Sequence, residues 1–214
     1  MDKRIEKTMQ NLEKNNMAAF YCESKEDVVP LVKTLVKDGA TVSNGGSVTL
    51  KQTGVSELLA SGCYDFIDRS KASPNEIRAV YLKALGADAY FCSSNAITEN
   101  GELYNVDGNS NRVASIVFGP EKVIIIAGVN KIVSNISEAV KRVKEKAAPP
   151  NTARLGKSTY CASAGKCVSL LKENAEICAG CASEDRICCN FVISARQRIK
   201  NRINVIIVNE ELGY

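Results

Sequence analysis

Between residues 25 and 37, Val28, Val29, Leu31, Val32, Leu35 and Val36 fall on one helical stripe, and Gly39 closes it. The same periodicity predicts an opening helix over about residues 2–16, a helical VSELLAS at 55–61, and a helix in SPNEIRAVYLKALG with Pro74 in its first turn and Gly86 at its end. Asn135 followed by Glu138 is a capping-box pattern for a helix running to about residue 146, where APPNTARL breaks it. Short apolar runs alternate with these helices. MAAFYC, the start of ATVSNGGSVTL, CYDFID, ADAYFCSS, RVASIVFG, VIIIAGV and RINVIIV read as strands, with Gly119-Pro120 turning one into the next. Strands alternating with helices predict an α/β protein, a three-layer α/β/α sandwich with a mostly parallel sheet. Turn signals at 101–121 add some antiparallel strands inserted in that sheet, and no internal repeat interrupts the pattern.

Composition narrows the function classes. A chain of 214 residues, 45% hydrophobic, can build one domain with a full core. The net charge of +4 is modest and its basic residues are scattered, so nucleic acid is not an expected partner; the one run, KRVKEK at 141–146, reads as a solvated helix face. No apolar stretch reaches the roughly 18 residues of a membrane span, and MDKRIEKTMQNLEKNN lacks a signal-peptide core. A soluble cytoplasmic chain without a membrane partner is expected. Histidine is absent, which excludes Ser-His-Asp or Cys-His nucleophile pairs and His-ligated metals. Acid, base or nucleophile chemistry then falls to carboxylate, thiol, amine or phenol groups.

In a parallel α/β sheet, ligands gather beyond the carboxyl ends of strands, and three segments fall there. SNGGSVT offers Gly45 and Gly46 for close backbone approach, an anion-holding nest of amides, and the hydroxyls of Ser47 and Thr49; it matches neither a Walker A loop nor a Rossmann fingerprint. As a plain strand-to-helix turn it needs no ligand. GVNKIVSN brings Lys131 next to a helix start, where an anion is favoured, or else forms a connecting loop with a solvated lysine. The third segment, SNAITENGELYNVDGNSNR, supplies Asn95, Glu99, Asn100, Asp107, Asn109, Asn111 and Arg112; Arg112 is the natural fork for a carboxylate or phosphate. Its Asn-Gly and Asp-Gly pairs also suit tight turns.

These segments carry a resemblance. GGSVTL, SSNAITENGELYNVDGNSNRVASIVFGPEKVIIIAGVNKIV, CASEDRICCNFVI and NVIIVNEELG resemble the LUD-domain family, the lactate-utilisation proteins once classed as a domain of unknown function, across nearly the whole chain. The resemblance implies a fold similar to the NagB/RpiA/CoA-transferase-like superfamily. Class I CoA transferases carry a Ser-Glu-Asn-Gly-like motif whose glutamate attacks an acyl-CoA, and TENG at 98–101 is similar to it. By that analogy Glu99 is the candidate catalytic carboxylate, in a stand-alone transferase, isomerase or cyclo-ligase.

Six of the nine cysteines crowd into residues 161–189. Cys22, Cys63 and Cys92 sit singly among apolar neighbours and read as small core residues. Cys178 and Cys181 form a CxxC, whose short reach suits two ligands of one metal. By resemblance to LUD proteins the set is Cys161, Cys167, Cys181 and Cys188; the insertion VSLLKENAEICAG brings Cys178 as a substitute ligand. Zinc, an iron–sulfur cluster, a disulfide and free thiols all remain open readings, and a metal-centred or redox interaction module is one function class.

The expectation is therefore a single LUD-type α/β domain over 1–214 with a cysteine-rich insertion at about 158–190. By resemblance it binds a small anionic metabolite in lactate or related 2-hydroxy-acid utilisation, beside iron–sulfur and flavin-type partner subunits. The apolar runs ASIVF, VIIIAGV and NVIIV, together with the resemblance, also predict a homodimer. The polar block and Glu99 are expected to converge on one cleft with Gly45, Gly46 and Lys131.

Overall fold

The computed structural model describes residues 1–214. Its first half runs α1 Lys3–Lys14, β1 Ala18–Cys22, α2 Val28–Leu35, β2 Thr41–Asn44, α3 Val48–Gln52, α4 Val55–Ala60, β3 Asp65–Ile67, α5 Ile77–Leu85 and β4 Ala89–Cys92. There follow β5 Ala96–Thr98, β6 Leu103–Asp107, α6 Asn111–Val117, β7 Lys122–Gly128, β8 Ile132–Val133, α7 Ile136–Arg142, α8 Ala148–Arg154, α9 Tyr160–Ala164, β9 Asn190–Ser194 and β10 Ile203–Val208.

Six strands in the order β1-β10-β7-β4-β2-β3 form one sheet, and every pairing in it is parallel. Apart from Lys122 and Asn204, β4, β7 and β10 are apolar because both faces of the sheet are covered. On one face Val28, Val32, Leu50, Val55 and Leu59 of α2–α4 pack on Phe91, Ile124, Ile126 and Ile206. On the other, Ile5 and Leu12 of α1, Ile116 of α6, and Ile97 and Leu103 cover Tyr90, Ile125, Val205 and Ile207.

The α/β class with a mostly parallel sheet therefore holds. The antiparallel strands are not inserted in that sheet, however. They form a second sheet of their own, β8-β5-β6-β9, laid over the first. Its outer face carries Ala96, Tyr104 and Val106 against Ala139, Val143 and Ala148.

Three local readings change with the structure. RVASIVF is helix α6, not a strand, because the Asp107 carboxylate accepts from the backbone N–H of Arg112 and Val113 and so starts a helical turn. Its β-branched residues nevertheless serve a helical face, with Val113 and Ile116 buried. Next, APPNTARL does not end the preceding helix. Asn135 caps α7 as expected, accepting from Glu138 N–H at 3.1 Å, and α7 then passes through a π turn, Val143–Ala147, into α8. Pro149 and Pro150 sit in the first turn of α8, where missing N–H groups cost little. Finally, KRVKEK is not a wholly solvated face: Arg142 and Lys144 are buried. No helix is long and apolar enough to cross a membrane.

Candidate functional site

Because β2, β4 and β7 run parallel, the residues that follow them meet at one edge of the sheet. There a cleft of about 460 Å³ opens, lined by Gly46–Thr49 after β2, Ser93–Asn95 after β4, Val106 and Asp107 at the end of β6 with Gly108, Asn109, Asn111 and Arg112 beyond it, and Lys131 after β7. The cysteine-rich segment closes it from the far side with residues 184–188.

Lys131 lies on the floor, only 3% exposed. Its Nζ donates to Thr49 Oγ1 and Ser93 Oγ, each at 2.9 Å. Burial, reinforced by the Arg142 and Arg112 guanidiniums, brings its pKa down to about 7. Arg112 donates to Ser93 O, Asn105 Oδ1, Asn95 Oδ1 and Val106 O, and its Nε stands 3.9 Å from Asp107. Arg142 donates to the carbonyls of Asn130 and Asn95, and burial pulls its pKa down to about 10, so it remains charged at neutral pH. The cleft lining carries Arg69, Arg112, Lys131, Arg154, Lys157 and Arg186 against Asp107, Glu184 and Asp185, and Asp107 is itself engaged in starting α6. The excess charge favours an anion in the cleft.

Gly45 and Gly46 serve this site by the space they leave. A Cβ on Gly45 would stand 3.1 Å from Arg112 Cδ, and one on Gly46 would stand 2.6 Å from an Arg69 guanidinium nitrogen. They do not form the expected amide nest: neither has positive φ, and Gly45 N–H is spent on Phe91 O. Ser47 caps α3 by accepting from Leu50 N–H. Asn95 braces the loops, accepting from Val106 N–H and Arg112, whereas Asn109 and Asn111 line the cleft. Ser93, Arg69, Asn105 and Arg142 were not anticipated from the sequence. Ser93 could have been found by the strand-end rule that selected Lys131, but the arginines carry no local signal.

Glu99 and Asn100 do not join the cleft. Glu99 sits in the β5–β6 turn, where its carboxylate accepts from Arg4 Nε and Lys7 Nζ of α1, both at 3.0 Å. Those two cations hold its pKa below the ordinary range, the Lys7 contact contributing most. Asn11 donates to Glu99 O, and Asn15 donates to the carbonyls of Asn100 and Gly101. The TENG stretch is thus the seat of α1. Its carboxylate is ion-paired against a helix and does not line the cleft.

Cys161, Cys167, Cys181 and Cys188 line a second, small cavity of about 30 Å³, together with Tyr104, Val143, Ala148 and Phe191. All nine cysteines are free thiols, and no three potential ligands stand close enough to grip a single metal ion. Burial, then Cys161, Cys167 and Cys181 beside it, push the Cys188 thiol up to about 12. Cys178 and Cys189 are exposed and do not line the cavity. Arg186 pins the surrounding loop by donating to the carbonyls of Cys178, Cys181 and Cys188. Asp185 holds Ser158 N–H and Lys157. The cavity and the cleft share Val143, Ala148, Arg186, Ile187 and Cys188 as a common wall.

An α/β protein with a cationic cleft at the strand ends is the class these observations define. The LUD-domain family model matches residues 5–208, and the chain belongs to that family, which relates to lactate utilisation. Among solved structures, a DUF162 family protein from Deinococcus radiodurans is similar in fold, with a TM-score of 0.51, 12% identity and 97% of each chain covered. No curated protein matches the chain.

Proposed function

We propose that the cleft binds a small carboxylate of the 2-hydroxy-acid type, as a step in lactate or related 2-hydroxy-acid utilisation. The observation that carries this reading is Lys131: a buried cation held only by two neutral hydroxyls, with two arginines beside it. Such an arrangement is electrostatically incomplete, and a bound carboxylate would complete it. Asn109 and Asn111 at the rim can hydrogen-bond a hydroxyl next to that carboxylate. The chain has no nicotinamide-type glycine fingerprint, so oxidation of the bound acid would depend on iron–sulfur and flavin-type partner subunits that take the electrons. Enzyme activity of the isolated chain is not part of the proposal.

Calorimetry with lactate, other 2-hydroxy acids and the matching unsubstituted acids tests it. Wild-type protein should bind a 2-hydroxy acid in preference to its unsubstituted counterpart. Lys131→Met should weaken that binding at least tenfold, in line with about 1.5–3 kcal/mol for a charge-assisted hydrogen bond. Failure of the wild-type protein to bind any small carboxylate would overturn the reading.

A further inference from the structure

The cleft holds more positive charge than free donors. Arg112 spends both hydrogens of each Nη group, on Ser93 O, Asn105 Oδ1, Asn95 Oδ1 and Val106 O, and turns its Nε to Asp107. A guanidinium has no further N–H groups, so Arg112 braces the loops of the cleft instead of forking a ligand. Other cations in the lining are similarly occupied. Arg154 donates to Tyr214 Oη and Asn151 Oδ1, Arg186 to three main-chain carbonyls, and Lys157 pairs with Asp185 at 3.0 Å. Lys131 keeps one N–H, since two of its three go to Thr49 and Ser93. Arg69 is different. It lines the same cleft, half-buried, and its guanidinium enters no ion pair or hydrogen bond. The carboxylate next to it in the chain, Asp68, is turned to Ser70.

Gly46 seats this unspent fork. A Cβ there would stand 2.6 Å from an Arg69 guanidinium nitrogen, so the guanidinium lies against bare backbone. Three residues further on, Thr49 holds Lys131. Three residues of chain span at most about 11 Å, so the positions that seat the two open cations share one short wall.

We propose that Arg69 is a second anchor of the cleft and that the ligand has two anionic ends: a 2-hydroxy acid whose carboxylate meets Lys131 and whose far end carries another carboxylate or a phosphate, forked by Arg69. The inference rests on the carboxylate reading given above and narrows it. A planar fork with its donors unspent suits bidentate capture of either group. Space agrees, because a cleft of about 460 Å³ is of the size that takes drug-sized ligands, far more than a three-carbon acid fills. Charge agrees as well. Asp107 and Asp185 are engaged with the start of α6 and with Lys157 and Ser158, and the remaining carboxylate of the lining, Glu184, is exposed.

Calorimetry on the whole chain with lactate, malate and 3-phosphoglycerate, which share the 2-hydroxy acid and differ at the other end, tests this. Malate or 3-phosphoglycerate should bind the wild-type protein at least about tenfold tighter than lactate, the effect of one added charge-assisted contact. Whichever does so identifies the far group as carboxylate or phosphate. Arg69→Gln should remove the preference, and Arg69→Lys should retain only part of it, because lysine supplies charge without a fork. Gly46→Ala should reduce it too, since the added methyl displaces the guanidinium at a position whose φ is not positive. Lys131→Met should instead weaken all three ligands. Wild-type protein that binds lactate as tightly as both longer acids would overturn the second anchor and leave the carboxylate reading standing, whereas failure to bind any of the three would overturn both. A preference for a longer acid that survives in Arg69→Gln, folded by circular dichroism, would overturn the role of Arg69.

Discussion

Lys131 ties stability and binding to the same proton. Unfolded, its amine titrates near 10.5; folded, near 7. Between those values the unfolded chain holds a proton that the folded chain has released, so stability rises with pH across that window, at up to about 1.4 kcal/mol per unit. Burial sets this first, then the flanking Arg142 and Arg112, against the weaker opposing influence of the Cys92 thiol. Lys131→Met should therefore be more stable than the wild-type protein at pH 6–7, by about 2 kcal/mol or more, with the difference shrinking toward pH 10. Urea midpoints at several pH values measure this. Carboxylate affinity should run the other way, falling as the pH passes upward through about 7 and the ammonium is lost. Lys131 and Thr49 are legible in the sequence because they follow strand ends, and a parallel sheet gathers its strand ends; Arg112 follows β6 of the second sheet and reaches the same cleft from there. Arg142 is not legible, since it lies in a charged helical run and only the tertiary position of α7 turns it inward.

At the scale of elements, the turn from Thr98 to Glu102 shows how a short motif takes its meaning from what packs on it. Gly101 has φ +78, and a Cβ there would collide with the backbone of Asn11 and Leu12 in α1. Gly101→Ala should cost about 2–4 kcal/mol, combining a strained φ with displacement of the helix. Glu99→Gln removes two ion pairs whose lysine and arginine are half-exposed, so it should cost within about 1 kcal/mol and leave carboxylate binding unchanged. Denaturation of both variants with calorimetry on the second checks the pair; loss of binding in Glu99→Gln would return that carboxylate to the active machinery. The sequence shows that a turn is present, but the helix it receives lies far away in the chain. α6 was misread for a related reason. Its β-branched residues resemble a strand, and the deciding cap, Asp107, acts from the end of the preceding strand.

For the whole molecule, the apolar strands are satisfied within one chain, so their composition is no longer an argument for a homodimer. Order is unevenly distributed. β7 and β10 are buried along almost their whole length, whereas the cysteine-rich segment exposes Leu170, Leu171 and Ile177 and relies on a few polar pins. Without a bound centre, amides at 167–189 should exchange with deuterium at least about tenfold faster than those of β7 and β10, as read by mass spectrometry. The segment's cysteine content is legible in the sequence; which of its thiols share a cavity cannot be read from the spacing, since the insertion hides it, but the resemblance named the same four, Cys161, Cys167, Cys181 and Cys188, that line it. The π turn between α7 and α8 has a consequence of its own. Relative to an unbroken α-helix, one extra residue per turn rotates everything downstream by about 100°. Arg142 therefore faces the loops of the anion cleft while Thr152 faces the thiols, with Val143 and Ala148 in the partition between them. A single length of helix works as a camshaft for two chambers, and removing one residue from its middle would put one of them out of phase.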